Sequence, residues 1–572
     1  MLRGTKTVYQ YLQTFKFKEG YMIQKYIKPL AVALLLSVLP LTISSVIAAD
    51  ATDTKYKRLH QGTKWTPYDW NSFYSQDQGS FIIPYTWIVA LKEANGQSFL
   101  RDSLARYGYL PNPKSSRNPK GLPVGFLVAN APTPQFSMTC AACHTRQITV
   151  NNVNYRVDGG PAFSDMYNFM KDLDQAVGYT LSNQQAFIDF QKAVQAQKPA
   201  SVTRDQLAAW YLPYNTLISN SLTPTTAPWG VGRSDALALI ENQGSGLDIG
   251  DSLNAYLIPQ NIYSADIPVR YPFLWNAGKQ DLTQWAGTSV NGNASYALER
   301  NAAEAIGVYG VLYPRANPSM TNGYDFLKVN SLNYSGLLNA EKLINKMGPP
   351  KWPWPIDRKK ANRGKLLYVA TCGPGCHEIK KGEPRPPVTN TWKTPVINVG
   401  TDAGYYDVLG QKTVTSGLLG GFTNPLDFTK IIPTTDVASI SLVGILNQSA
   451  LLQKYPNINL SLRAPVSTTG AFESKVLQGI WAAAPYLHNG SVPSLAELLK
   501  PAASRVQSFQ VGREYDIVNV GLATQQTIEP TSLRVTTDCS DLNSGNSNCG
   551  HEFGTNLSPT EKDDLLEYLK TL

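Results

Sequence analysis

Cys140-Ala141-Ala142-Cys143-His144 is the stretch that decides the fold of this chain. Two thiols separated by two residues can each add to a vinyl group of one haem, and the histidine that follows is placed to bind the iron. A zinc knuckle, a redox dithiol or a short disulfide could use the same cysteines. However, no second Cys/His pair lies close in sequence, and the preceding residues 132–137 do not resemble the strand of a thioredoxin-like unit. The motif therefore predicts covalent attachment of haem c.

A second motif, Cys372-Gly373-Pro374-Gly375-Cys376-His377, has three residues between its cysteines instead of two. The two glycines flank a proline and permit backbone conformations that other residues avoid, so the loop can absorb the extra residue. The histidine still follows the second cysteine directly, as iron ligation requires. A disulfide between Cys372 and Cys376, or a metal loop, is the alternative. We expect a second covalent haem here.

Two cysteines lie outside both motifs. Cys539 and Cys549 bracket a loop rich in Ser, Asn and Gly. If the protein is exported, they are expected to form a disulfide with each other. The six cysteines would then divide into two haem pairs and one disulfide.

The chain contains five histidines, and two of them, His144 and His377, follow the cysteine pairs. His551 and His488 lie in the C-terminal part of the chain and are candidates for the sixth ligand of the second haem. Each could equally be an ordinary hydrogen-bonding histidine. Only His60 remains for the first haem, and no motif surrounds it. We therefore expect the first iron to keep an open face, where oxygen chemistry takes place.

The composition is that of a large globular protein, with 572 residues, 42% hydrophobic and 16% charged. The formal net charge of +9 comes largely from the first 49 residues, which hold six basic residues and one acidic residue. The rest has 45 basic and 41 acidic residues, and this small excess argues against nucleic acid as a partner.

Residues 1–49 have the character of a signal peptide. Two lysines, Lys25 and Lys28, precede an apolar run over 30–43, and small residues follow it. We expect cleavage after Ala48 or Ala49, with an N-terminal anchor as the less favoured alternative and Met22 as a plausible true start. Export to the periplasm or beyond suits c-type haem attachment, which takes place outside the cytoplasm.

The sequence predicts a mainly α fold with extensive irregular loops, made of two cytochrome c-like haem domains with large insertions. The first domain is expected over 50–350 and the second over 356–572, joined by the proline-rich segment 351–355. Hydrophobic spacing and capping residues place helices around Trp87–Ala94, Ser164–Val177, Asn183–Gln197 and Asp357–Ala370, and after Ser558.

The whole pattern resembles the bacterial di-haem cytochrome c peroxidase superfamily, and more closely its rubber oxygenase-like branch. The two haem motifs lie about 230 residues apart, and this separation is part of the resemblance. The supporting stretches run in order through most of residues 60–572: 78–80 with 84–87, 232–236, 285–287, 300–304, 485–495, 545–548 and 550–553. The three-residue spacing of the second motif departs from the family pattern and puts efficient attachment of that haem in doubt.

The resemblance implies a division of roles between the two haems. The haem held by Cys140, Cys143 and His144 would be the reactive centre. The haem held at Cys372–His377, with His551, would be a six-coordinate electron relay. Peroxidases of the superfamily reduce hydrogen peroxide with electrons from small cytochromes, whereas rubber oxygenases add both atoms of dioxygen across a double bond of polyisoprene.

Several further residues are candidates for the reaction or for haem binding. Trp275, Trp285 and Phe273 could form the path or pocket between the haems, although core packing is the commoner role of tryptophan. Arg233 and Arg300 could pair with haem propionates or with ordinary carboxylates. For a peroxidase, Glu93 is a candidate for the acid that moves the peroxide proton, if its helix does not turn it to solvent.

Three functions are consistent with the sequence. The favoured one is an oxidoreductase that acts on dioxygen or peroxide at an open first haem, with a hydrophobic polymer or a small redox protein as a further partner. The alternatives are an electron-transfer protein with two six-coordinate haems, and a structural or binding protein whose haem sites have decayed. The distal ligand at the first haem decides between the first two.

Overall fold

The helices Arg358–Thr371 and Pro559–Leu569 cross closely at Gly364. A Cβ atom there would lie 1.9 Å from the backbone oxygen of Asp564, so only glycine permits the approach. Beside the crossing, Arg363 donates two hydrogen bonds of 2.6 Å to the side-chain carboxylate of Asp564. The side chains of Asp357 and Ser558 cap the two helices, and the sequence predicts the cap at Ser558.

The computed structural model describes residues 55–197, 200–223, 229–250, 257–320, 322–382, 391–406, 412–460 and 470–572. The residues Ala49–Leu572 belong to one compact unit. The predicted signal peptide over 1–49 lies outside the described residues. In the described part of the chain, no helix combines the length and apolarity needed to cross a membrane.

Helices supply most of the regular structure. The α-helices of ten or more residues are Met166–Ser182, Gln184–Gln195, Arg204–Ser221, Ala294–Gly307, Tyr334–Ile344, Arg358–Thr371, Ser439–Lys454 and Pro559–Leu569. Shorter α-helices are Pro67–Phe73, Tyr85–Ala90, Cys140–Cys143, Ala236–Asn242 and Leu495–Leu498.

The strands are short and form small sheets. One three-stranded sheet has the order Lys57–Arg58, Val153–Asp158, Thr145–Val150, and the other has Ser80–Pro84, Gln135–Met138, Phe126–Ala129. The two-stranded antiparallel pairs are Arg233–Ser234 with Val269–Arg270, Leu282–Thr283 with Ser289–Val290, Arg315–Ala316 with Tyr324–Asp325, Val396–Asn398 with Ala471–Glu473, Thr413–Val414 with Val437–Ala438, Ser508–Val511 with Ser532–Val535, and Tyr515–Asp516 with Gly521–Leu522.

The helices predicted in the N-terminal half agree with the structure at Met166–Ser182 and Gln184–Gln195. The helix predicted around Trp87 is shorter, Tyr85–Ala90, because Leu91 adopts an extended conformation with ψ 135°. The chain then turns at 93–96, where the backbone N–H of Gly96 bonds to the oxygen of Glu93.

The segment 351–355 lies in no helix or strand, but it does not behave as an exposed linker. Trp352 and Trp354 pack edge-on against the buried Trp481, with ring centroids 5.1 and 5.8 Å apart. The same apolar cluster contains Ile148 from the first half and Leu565 from the second. The two predicted domains therefore share core packing, and their division at 350–356 stays a prediction.

Candidate haem sites

The first haem motif forms the short helix Cys140–Cys143, directly after the strand Gln135–Met138. This strand was not predicted from the sequence; we expected only that residues 132–137 do not belong to a thioredoxin-like unit. The strand belongs to an antiparallel sheet, so the motif does not sit in a thioredoxin-like βαβ unit, which agrees with that expectation. Thr139 caps the helix, and Gly125 packs so close that a Cβ atom would lie 2.1 Å from the backbone nitrogen of Ala142.

His144 follows this helix with its ring oriented by a backbone carbonyl. Its Nδ1 lies 2.9 Å from the oxygen of Pro272, and because a carbonyl only accepts, Nδ1 carries the proton and donates. This leaves Nε2 as the nitrogen that can bind a metal. Burial lowers the pKa of His144 to about 4, which keeps the ring neutral, as a metal ligand must be.

A cavity of about 190 Å³ lies beside this motif and is lined by both its cysteines and its histidine. His144 is the only one of the five histidines in the lining. Much of the remaining wall is apolar and comes from the helix Ala236–Asn242 and from the segment around 269–274, whereas the helix Ala294–Gly307 contributes mainly polar residues. The apolar members include Met138, Met166, Leu237, Leu239, Ile240, Val269, Leu274, Val308 and Ile344.

Two carboxylates reach the first cavity from different elements. Glu341 is paired with Arg300, with 2.8 Å between Oε2 and Nη2. Glu304 accepts a hydrogen bond of 2.7 Å from Gln284. Protein surrounds the Glu304 side chain, yet more than a third of its surface is open, because it faces the cavity. Desolvation raises the pKa of its carboxyl above the usual value, and the charge of Arg300 opposes this shift.

The second haem motif follows the helix Arg358–Thr371 as a wide turn, Gly373–His377. Gly375 adopts φ +79°, and this left-handed residue accommodates the extra residue between the cysteines. Cys372 and Cys376 are free thiols, so the alternative of a disulfide between them is not formed. The Nδ1 of His377 lies 2.7 Å from the oxygen of Lys475, the same kind of support that His144 receives.

A second cavity of about 180 Å³ lies beside this turn and is lined by Cys372, Cys376 and His377. His551 and His488 also line it. The rings of His377 and His551 have centroids 6.1 Å apart. A metal–imidazole bond is about 2.0–2.1 Å long and the ring centroid lies about 1 Å further, so two imidazoles on opposite sides of one metal have centroids about 6 Å apart. The observed spacing therefore suits two axial ligands of one iron.

His551 is held in this position by the chain around it. The disulfide Cys539–Cys549 closes the preceding loop, and Arg505 donates to the backbone oxygens of Asn548 and Gly550. The Nδ1 of His551 is buried without a hydrogen-bond partner among the described residues. Burial lowers the pKa of His551 to about 4, so the ring is neutral. A buried, neutral and unpartnered imidazole that faces His377 fits a metal ligand.

His488 is also buried, but its surroundings are those of a packed aromatic ring. It stacks on Phe472 with centroids 3.7 Å apart and 12° between the planes. Trp285 lies edge-on to it at 6.4 Å. Desolvation lowers the pKa of His488 to about 3. Of the two histidines proposed as sixth ligand, His551 has the ligand-like geometry, and its ligation of the second haem stays a prediction.

Four residues line both cavities and form a shared wall: Arg270, Phe273, Trp285 and Lys475. Phe273 and Trp285 are two of the three aromatic residues proposed for the path between haems. Trp275, the third, lines neither cavity among the described residues. It stacks on Phe273 at 4.7 Å and donates to the oxygen of Gln478, so it supports the wall from behind.

Sequence reasoning missed Arg270 and Lys475. Neither belongs to a motif, and both reach the wall through tertiary structure alone. A weak signal was available for Arg270 alone, which lies three residues before the candidate Phe273. No residue near Lys475 was singled out from the sequence.

Four other candidates have positions that limit their roles. Arg233 is buried and donates to the oxygens of Trp229 and Asn489, and it lines neither cavity among the described residues. Arg300 lines the first cavity, but its partner there is a carboxylate. Glu93 is ion-paired with two arginines away from both cavity linings, so the proposal that it serves as the proton-moving acid is wrong. His60 is exposed and belongs to neither lining.

The residues at both sites fit a covalently bound haem. Each cavity brings together a thiol pair and a neutral histidine whose Nδ1 is held by a carbonyl. In the described part of the chain, no group of three or more His, Cys, Asp or Glu could hold a metal ion by itself, which disfavours a zinc site there.

Comparison with known proteins agrees with this chemistry. Residues 471–510 match the family model described as RoxA-like, cytochrome c-like. The chain is related to the RoxA-like cytochromes. The RoxA-like segment includes Phe472, Lys475 and His488 and so builds much of the second cavity's wall. A cytochrome c-like domain implies covalently bound haem c and a cytochrome-type function.

Two proteins from Sinorhizobium fredii (strain NBRC 101917 / NGR234) are similar to this chain. The uncharacterized protein y4iJ is 28% identical over 89% of this chain and 93% of its own length. The uncharacterized protein y4iM is 25% identical over 52% of this chain and 63% of its own length. The likeness to y4iJ therefore extends through nearly the whole chain, well beyond the family match.

Proposed function

We propose that this protein is an exported di-haem c-type cytochrome that activates dioxygen at its N-terminal haem for oxidative cleavage of a hydrophobic substrate. One observation carries the proposal. His551 faces His377 in the second cavity, whereas His144 is the only histidine in the first. This asymmetry supports an open reactive haem at Cys140–His144 and a six-coordinate relay haem at Cys372–His377.

At the first site, Cys140 and Cys143 would hold the haem, and His144 would bind the iron with its ring fixed by Pro272. A haem with one free axial position supplies redox activation of dioxygen or peroxide. The apolar side chains of the cavity, such as Leu239 and Ile240, would bind a hydrophobic chain and exclude water from the reacting centre. This lining supports an oxygenase more than an enzyme of polar substrates.

At the second site, Cys372 and Cys376 would hold the haem, with His377 and His551 on its two faces. With both histidines as ligands, the group would supply electron transfer and not substrate activation. Phe273 and Trp285, which line both cavities, lie where such a path would run.

The surface of the helix Arg358–Thr371 favours a small, acidic redox protein as the electron donor to the relay haem. It leads directly to Cys372 and carries five basic residues between 358 and 365, one of which, Arg363, is paired with Asp564. Leu366 and Val369 on the same helix are 72% and 54% exposed. An apolar patch beside basic residues suits an acidic partner, which positive charge would attract and orient.

A peroxidase is the second candidate, and Glu304 favours it. A carboxyl with a raised pKa that faces the reactive cavity can hold a proton and give it to a departing peroxide oxygen. Reduction of hydrogen peroxide with electrons from the small redox protein would then replace the oxygenase reaction.

The purified, haem-loaded protein tests these proposals in three steps. A pyridine haemochrome assay should give two haems per chain, and carbon monoxide should bind only one of them after reduction. Incubation with polyisoprene and labelled dioxygen should give carbonyl products that carry the label, without added peroxide. Low-spin iron in every redox state with no carbon monoxide binding would refute the open first haem. Peroxide consumption without any labelled product would favour the peroxidase instead.

A further inference from the structure

Arg270 lies in the wall that separates the two cavities and lines both of them. Its strand, Val269–Arg270, pairs with Arg233–Ser234, and its backbone N–H donates to the oxygen of His488. The guanidinium also lies over the ring of Trp285, 4.8 Å from its centroid. The backbone and the side chain of Arg270 are thus fixed at the boundary between the sites.

The charge of Arg270 has no carboxylate partner among the described residues. Its Nε donates to the oxygen of Leu487 at 2.9 Å, and its Nη1 makes a long contact of 3.4 Å with the oxygen of Tyr271. Its Nη2 makes no hydrogen bond within the described chain. Desolvation lowers the pKa of Arg270 to about 10, a sign that burial of this charge is poorly compensated.

The other basic residues of the two linings are neutralised. Arg300 is paired with Glu341, and Lys475 is paired with the buried Glu473. Arg270 alone among the lining cations described here lacks an acidic partner. A buried charge normally requires a counter-charge, and a guanidinium binds carboxylates through two parallel hydrogen bonds.

We propose that Arg270 binds the carboxylates of the haems on both sides of the wall and so sets the two reduction potentials together. The proposal rests on the two haems of the proposed function. A c-type haem has two propionates and no other anionic side groups, so the propionates are the carboxylates that Arg270 would bind. A positive charge beside a haem favours the reduced state, in which the iron carries one positive charge fewer. Loss of the charge should therefore lower both potentials.

Arg270→Gln in the full-length, haem-loaded protein tests this by spectroelectrochemical titration. We expect the equilibrium constant for reduction of each haem to fall about tenfold, which lowers its reduction potential by about 59 mV for a one-electron couple. Arg270→Lys keeps the charge and should restore most of the shift. The haem content of each variant is measured in parallel, so that loss of a cofactor is not mistaken for a change in potential.

Arg534→Gln is the matched control. Arg534 is also buried and donates only to backbone oxygens, those of Gly490, Trp229 and Val231, but it lines neither cavity among the described residues. It should leave both potentials unchanged. The proposal would be overturned if Arg270→Gln shifted the potential of only one haem or of neither. It would also be overturned if Arg270→Lys shifted both potentials as much as Arg270→Gln does. The titration needs no substrate, so a failure of the oxygenase reaction leaves its result readable, and the reverse also holds.

Discussion

His377 and His551 face each other across the second cavity with ring centroids 6.1 Å apart and 44° between the ring planes. They are 174 residues apart in sequence. The first cavity has no such pair, since His144 is its only histidine. This difference between two otherwise similar cavities underlies the proposed separation of a reactive haem from a relay haem.

Replacement of His551 by alanine should open the second haem. We expect its low-spin signal to be lost, with a high-spin signal in its place, and carbon monoxide should then bind two haems per chain instead of one. Electron paramagnetic resonance and a carbon monoxide titration measure the two effects. His488→Ala is the control, since His488 lines the same cavity but stacks on Phe472. High-spin iron in His488→Ala, with His551→Ala unchanged, would reverse the assignment.

The disulfide Cys539–Cys549 should stabilise both the fold and the His551 ligand. It closes a loop with a sequence separation of 10, for which the loss of chain entropy predicts a contribution of about 2–3 kcal/mol. The double replacement by serine should lower the free energy of unfolding by that amount and raise the high-spin fraction of the second haem, because Cys549 lies two residues before His551. Urea unfolding and the spin-state spectrum measure both. An unchanged spin state would show that the disulfide does not position the ligand.

His488 should make the protein sensitive to acid. Its pKa is lowered to about 3 by burial, whereas an unfolded histidine has a pKa of about 6.5. Below about 6.5 only the unfolded chain gains the proton, so stability is lost as pH falls and the loss ends near pH 3. Between pH 7 and 5 the expected cost is about 2 kcal/mol.

His488→Phe, which can still stack on Phe472, should remove this contribution to the loss of stability between pH 7 and 5. Urea unfolding at the two pH values measures it. His60→Phe at an exposed position serves as control and should not alter the pH dependence. Equal acid sensitivity in His488→Phe and the parent protein would contradict the prediction.

Trp285 should carry electrons between the two cavities. Its indole is oxidised more readily than a phenyl ring, so Trp285→Phe should slow oxidation of the relay haem by the reactive haem. The rate is measured by rapid mixing of the reduced protein with oxidant, while the absorption of each haem is recorded separately. Trp275→Phe is the control because Trp275 lines neither cavity among the described residues. Equal rates in both variants would remove Trp285 from the path.

The basic face of Arg358–Thr371 should control reduction by an acidic donor protein. Lys359→Glu with Lys365→Glu should slow reduction of the relay haem and weaken its dependence on salt, because attraction between exposed charges is screened within about 10 Å at 0.1 M salt. Stopped-flow reduction at two ionic strengths measures this. Lys171→Glu with Lys192→Glu changes the net charge equally at exposed positions of two N-terminal helices and should have no effect.

The sequence determined the parts of this protein that depend on neighbours in the chain. Cysteines and a histidine at fixed spacing identify both haem motifs, and Ser558 predicts the start of the last helix because capping acts over three residues. The sequence did not predict the strand before Cys140, because this strand pairs with Ser80–Pro84, which lies far away in the sequence. Glu93 was proposed as an acid because a sequence does not show that two arginines pair with it.

The tertiary structure decided what depends on distant residues meeting. The sequence named His551 and His488 alike, and only the fold placed His551 opposite His377 and His488 against Phe472. Arg270 and Lys475 carry no local pattern at all, yet with Phe273 and Trp285 they form the wall between the two cavities. The physical reason is that covalent attachment and capping are set by spacing along the chain, whereas axial ligation, burial of charge and contact between cavities are set by distance in space.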